Sequence, residues 1–228
     1  MGFFKKNKQD AKVVDRYINK NKFILEESMQ ALDRERLFYI PVHLGYVRIS
    51  TLELVAEEIR VNNIPGAVAE LGVYRGDFAK YMNEAFPDRR LYLFDTFEGF
   101  SVEDVVIETK NNYSPGTQDF SDTTIELVLD KMKYRDNCVI KKGYFPDSIG
   151  DLNENFAFVS LDADLYKPIY EGLKYFYPRL SQGGFIFIHD YNNGEYKGAK
   201  RAVTEYCKEH RIPFIPICDP WGTAVIAK

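Results

Sequence analysis

The chain has 228 residues, a length that favours one domain, or one domain with a short extension. Apolar residues make up 45% and charged residues 28%, which supplies a packed core and excludes a largely disordered chain. Thirty basic against 34 acidic residues leave a net charge of -4 and no cationic field for nucleic acid, while a mean hydropathy of -0.34 and the lack of any apolar run near about 18 residues exclude a membrane span.

The opening segment MGFFKKNKQD has no apolar stretch of the kind a secretory leader carries, and it reads as a mobile, mildly basic tail over residues 1–10. It begins Met-Gly, but Lys6 stands where a myristoylation signal wants Ser or Thr. Residues 1–63 read as a polar, helical extension. Its best-defined part is TLELVAEEIR, where Leu52, Val55, Ala56 and Ile59 form one apolar stripe at helical spacing. Asn62, Asn63, Pro65 and Gly66 end that pattern, and the main domain is expected over 64–228.

From residue 67 apolar strands alternate with amphipathic helices. AVAELGV (67–73) is the first strand, followed by a helix that buries Phe78, Tyr81, Met82, Ala85 and Phe86. LYLFD (91–95) is the second strand. Residues 96–120 are rich in Gly, Asn, Asp and Ser and are expected as one long loop, a length typical of lids and binding loops. Thr123 and Glu126 fit a capping box ahead of Ile125, Val128, Leu129 and Met132. CVIKKGYF is the third strand and FAFVSLDADL (156–165) the fourth. A helix carrying Ile169, Leu173, Phe176 and Tyr177 is expected to stop at Pro178. GGFIFIHD (183–190) is the fifth strand, and Ala199, Ala202, Val203, Tyr206 and Cys207 mark the last helix. PFIPICD and GTAVIAK then form a closing hairpin, with Trp221 in its turn expected to pack.

Such alternation means a mostly parallel sheet covered on both faces. Five βα units followed by an antiparallel hairpin point to the class I methyltransferase arrangement: a seven-stranded Rossmann-like α/β sandwich whose last strand is antiparallel. In open α/β sheets ligands bind at the carboxyl ends of the strands, and this chain places its glycines and acids there.

Two constellations carry chemistry. In AELGVYRGDF, Gly72 and Gly76 permit a tight strand-to-helix turn, and Glu70 puts a carboxylate where a cationic amino group can be held. Asp95 closes the second strand 19 residues after Gly76, where an acid can accept hydrogen bonds from ribose hydroxyls. This much indicates an adenosine-type ligand and leaves a nicotinamide cofactor and S-adenosylmethionine both open. The second constellation is Asp162 and Asp164 after the fourth strand, with His189 and Asp190 after the fifth, 28 residues separating Asp162 from Asp190. Crowded acids repel unless a cation lies among them, and oxygen-rich clusters suit Mg²⁺, Ca²⁺ or Mn²⁺. Phe97, Phe100, Tyr113 and Phe120 lie on the long loop, where they can close over a flat or sugar-like substrate or pin the loop to the core. Ser121 and Asp122 stand where that loop enters a helix. His43 and His210 are isolated. Cys138, Cys207 and Cys218 form no paired spacing, read as buried small hydrophobes and suit a reducing, cytoplasmic location.

The segments AELGVYRGDFAKYM, LYLFDTFEGF, FSDT at 120–123 and LDADLYKPIYEGLKYFYPRLSQGGFIFIHDY resemble the macrocin O-methyltransferase family, in order from about residue 50 to the end of the chain. The resemblance implies an S-adenosylmethionine-using, metal-dependent O-methyltransferase acting on a hydroxyl of a sugar or glycosylated natural product. Asp162, His189 and Asp190 would hold Mg²⁺ or Mn²⁺, and Asp164 would be the catalytic base. Glu70, Gly72, Tyr74, Gly76 and Asp95 would bind the cofactor, together with Thr96, Phe97, Ser121, Asp122 and Asp162. The chain departs from the family at His189, where Asp is usual. Partners implied are a small-molecule acceptor and further copies of the chain, with neither nucleic acid nor membrane. A non-catalytic adenosine-binding or assembly protein and a nicotinamide oxidoreductase are the alternatives.

Overall fold

The computed structural model describes Leu37, Phe38 and residues 45–228. The basic tail, the first part of the helical extension and His43 lie outside the described residues. Helix α1 (Tyr46–Val61) turns Ile49, Leu52, Ala56 and Ile59 inward, and Leu37 N–H donates to Glu53 Oε1 at 2.7 Å. The remaining elements are β1 (Ala67–Leu71), α2 (Ala79–Ala85), β2 (Leu91–Asp95), α3 (Val102–Lys110), α4 (Ile125–Leu129), β3 (Cys138–Lys142), β4 (Phe156–Leu161), α5 (Tyr166–Arg179), β5 (Leu180–Ile188), α6 (Lys197–His210), β6 (Ile215–Ile217) and β7 (Thr223–Ala227).

The seven strands lie in the order β3-β2-β1-β4-β5-β7-β6. β1 to β5 pair in parallel, and β7 runs antiparallel to both β5 and β6. The chain therefore leaves β1 toward one edge and returns at β4 on the other side of β1. Neighbouring loops diverge at that switch point and open a crevice. Every residue of β1 and β4 is buried, as central parallel strands require. Side chains alternate between two cores. Leu71, Leu161, Ile186 and Ile188 face α5 and α6, while Val68, Phe158 and Phe187 face α1 and α2. Between the sheet and α5, Phe94, Phe145, Phe156 and Phe176 interlock, with ring centroids between 5.1 and 5.8 Å apart, and Phe94 and Phe145 of this group reach the cleft above.

Five local expectations are corrected. Residues 96–120 are not one loop, because they include α3. Ser101 takes the extended backbone of a cap, Glu103 and Asp104 occupy the first turn and Lys110 the last, a charge order that suits the helix dipole. The cap of α4 is Thr124, whose hydroxyl accepts from Leu127 N–H at 3.1 Å, while the Thr123 hydroxyl donates to the carbonyl of Tyr74. Pro178 sits inside the last turn of α5 rather than beyond it. Trp221 is 62% exposed and does not pack in the core, and Cys218 is exposed where Cys207 is buried. No helix among the described residues is long and apolar enough to cross a membrane.

Candidate active site

A cleft of about 660 Å³ opens over the carboxyl ends of β1, β2, β4 and β5. At its β1 end Glu70 is 1% exposed and neither carboxylate oxygen has a hydrogen-bond partner. Burial, followed by the negative charge of Asp162, pushes its carboxyl well above the usual carboxylate range. A buried acid without a donor is costly, so this position is complete only when a donor enters the cleft. Asp95 is set differently. Its Oδ2 accepts from Val73 N–H at 2.7 Å and Tyr74 N–H at 2.8 Å, and its Oδ1 from Phe97 N–H at 2.7 Å. Three backbone donors lock the carboxylate to the β1 turn and leave lone-pair capacity on Oδ1.

The second constellation forms one charged cluster. Asp162 Oδ2 receives Arg48 Nη1 at 3.0 Å and Oδ1 faces His189 Nδ1 at 2.9 Å, while Asp190 Oδ2 lies 3.1 Å from the same nitrogen. One donor atom each from Asp162, His189 and Asp190 falls within 4.8 Å of the others. Burial opposes charge on the imidazole, but Asp162 and Asp190 outweigh it and its pKa rises to about 9. Asp162 is driven the other way, below the usual range, because Arg48 and His189 overcome its burial. Asp164 stands beside them at φ 56; burial and the negative charges of Asp190 and Asp162 push its carboxyl well up.

A pH dependence follows from His189. Its folded pKa is above the unfolded 6.5, so its contribution is complete below about pH 6.5 and is lost as pH rises through about 9. Metal-free protein in urea should lose up to about 3 kcal/mol across that window. His189→Gln should flatten the profile, and an equal slope in both proteins would exclude this histidine as its source.

Glu70, Gly72, Tyr74, Asp95, Thr96 and Asp162 line the cleft, as do Asp164, His189 and Asp190. Gly76, Phe97, Ser121 and Asp122 do not. Gly76 lies behind the turn against Val128 and Met132, and Phe97 is buried. Ser121 N–H donates to Asp119 Oδ1, while Asp122 Oδ1 accepts from the Tyr74 hydroxyl at 2.5 Å. Of the loop aromatics, Phe100 and Phe120 reach the wall, with ring centroids 5.0 Å apart, and Tyr113 sits against Tyr166 instead. His210 stacks on Tyr206 away from the cleft. Sequence reading missed Arg48, Tyr196 and Asp219. Arg48, whose Phe78 ring platform lies 3.7 Å below the guanidinium, joins Asp162 across 114 positions, and no local pattern announces such a pair.

This strand order, with a ligand cleft at the β1–β4 switch point and an acid closing β2, defines a class I methyltransferase. The macrocin-O-methyltransferase (TylF) family matches residues 3–224, and the chain belongs to that family: it is an S-adenosylmethionine-dependent O-methyltransferase. It is 28% identical over 218 residues to mycinamicin III 3''-O-methyltransferase of Micromonospora griseorubida, covering 90% of this chain and 84% of that protein. It is also 28% identical over 194 residues to 8-demethyl-8-(2,3-dimethoxy-alpha-L-rhamnosyl)-tetracenomycin-C 4'-O-methyltransferase of Streptomyces olivaceus, covering 80% and 73%. The fold is shared with the O-methyltransferase NovP (TM-score 0.64, 22% identity, 79% of each chain) and with the calicheamicin methyltransferase CalS11 (TM-score 0.65, 17% identity, 99% and 95%).

Proposed function

We propose that the protein methylates a hydroxyl of a glycosylated small molecule, with a divalent cation held by Asp162, His189 and Asp190 and with Asp164 as base. The observation that carries this is the convergence of those three donors within 4.8 Å beside Asp164, in the cleft whose other end is the unpartnered Glu70. The relatives named above act, by their names, on glycosylated compounds.

S-adenosylmethionine supplies an electrophilic methyl group on a sulfonium. Glu70 would take the ammonium of its amino-acid end, which provides the donor that both buried oxygens lack. Asp95 would accept from the ribose with its remaining Oδ1 capacity, over the turn of Gly72 and Gly76 and beside Tyr74 and Thr96. Phe97, Ser121 and Asp122 act from behind the wall: the Phe97 amide fixes Asp95, and the 121–122 segment fixes Tyr74 through Asp122.

The donor set fits a divalent cation, Mg²⁺ or Mn²⁺, at the expense of one proton. Arg48 takes only Asp162 Oδ2, so Oδ1 and an Asp190 oxygen can turn to a metal, but His189 Nδ1 must be deprotonated to ligate. A bound cation would lower the pKa of an alcohol in the cleft. Asp164, raised by its neighbours, then accepts that hydroxyl's proton, and the wall residues hold oxygen and methyl carbon in line.

Two measurements test the metal. Chelation should abolish turnover and Mn²⁺ or Mg²⁺ should restore it. Calorimetry in buffers of different ionisation enthalpy should show a proton released on binding, and His189→Ala should remove that release. Full turnover under chelation would overturn the metal site and leave the methyl-transfer reading standing.

A further inference from the structure

Trp221 is the only tryptophan in the chain, and it stands on the cleft wall 62% exposed. Its backbone has φ 64, a region that bulky side chains rarely occupy. The surroundings impose that conformation. Asp219 Oδ1 accepts from Thr223 N–H and its Oδ2 from the Thr223 hydroxyl, both at 2.7 Å. Tyr191 N–H donates to the Gly222 carbonyl and Asn192 N–H to the Trp221 carbonyl, both at 2.9 Å. The turn is thus strapped to the segment that follows His189 and Asp190. The indole lies edge-to-face with His189, centroids 6.1 Å apart at 75°. A large apolar ring, rigidly displayed beside the reacting centre, has an unfilled face for a ligand.

Polar groups beside it can take a ligand's hydroxyls. Asp164, Asp190, Glu195 and Asp219 line the same cleft.

We infer that Trp221 is the acceptor platform: the sugar ring of the acceptor lays its C–H face on the indole and turns its hydroxyls toward the carboxylates. This rests on the methyl-transfer reading above and adds the residue that seats the acceptor's sugar.

The single indole reports its own occupancy. Protein saturated with S-adenosylhomocysteine and Mn²⁺ is titrated with methyl pyranosides of hexoses and 6-deoxyhexoses while tryptophan emission is followed. At least one methyl glycoside should shift the emission saturably. Trp221→Ala should raise KM for that glycoside about tenfold with a smaller change in kcat, Trp221→Phe should restore most of it, and S-adenosylhomocysteine affinity should be equal in all three proteins. Emission indifferent to every glycoside, or an unchanged KM for the responding glycoside in Trp221→Ala, overturns the inference. Failure of the wild-type protein to bind S-adenosylhomocysteine would instead sink the reading beneath it.

Discussion

Asp164→Asn is expected to lower methyl transfer about a thousandfold while leaving S-adenosylhomocysteine affinity and folding stability close to wild type. The substitution is conservative where it needs to be. Asp164 sits at φ 56, and asparagine is the residue besides glycine that most readily accepts this conformation, so the turn from β4 into α5 survives. It is also isosteric, so packing under the cleft is unchanged. What disappears is proton affinity. Asp164 is half-buried beside Asp190 and Asp162; desolvation and these neighbouring charges push its carboxyl up and raise its affinity for a proton above that of an ordinary aspartate. An amide in its place cannot take the hydroxyl proton. Single-turnover methyl transfer with bound cofactor separates this from a binding defect, and a variant within about threefold of wild type would assign the base to another group.

The parts of this site that were legible in the sequence are those that strand periodicity delivers. Asp162 and Asp190 end apolar runs, Asp95 ends another, and the parallel alternation puts all three ends on one side of the sheet. What each acid does there was not legible, because it depends on contacts far apart in sequence. Asp95 gives its oxygens to the Val73, Tyr74 and Phe97 amides, and Asp162 has a counter-ion from α1. Helix α3 escaped notice because Gly99, Asn111 and Asn112 give its surroundings the composition of a loop. The placing of Thr124 rather than Thr123 at the cap follows from a tertiary bond, Thr123 to the Tyr74 carbonyl, which draws one hydroxyl away from the helix. Packing is the sequence expectation for Trp221 because large aromatics usually pack; its exposure comes from a turn whose straps lie about 30 residues upstream, at Tyr191 and Asn192.

Gly72→Ala should be the most damaging single methyl group in the protein. A Cβ there would lie 2.2 Å from the Asp162 carbonyl oxygen and 2.6 Å from its carbon, and those are backbone atoms that no rotamer change can move aside. The φ of 85 adds strain for any side chain. The neighbouring bonds leave little slack, since Asp162 N–H donates to Leu71 O at 2.8 Å and Gly72 N–H to Phe94 O at 2.9 Å. To admit the methyl group, β1 and β4 must part at the switch point, which breaks the central pairing and displaces Asp162 from Arg48 and His189 together. A loss of about 3 kcal/mol or more in denaturant unfolding is expected, with S-adenosylhomocysteine affinity falling in the fraction that still folds. Gly194→Ala is the matched control, because a Cβ there meets nothing within 4 Å and its φ is not left-handed; it should stay within about 0.5 kcal/mol of wild type. Stability and cofactor affinity of Gly72→Ala equal to those of the control would mean that the two strand ends do not approach this closely. The acids that follow β4 and the glycine turn after β1 would then be independent pieces, not the single unit that the proposed in-line transfer requires.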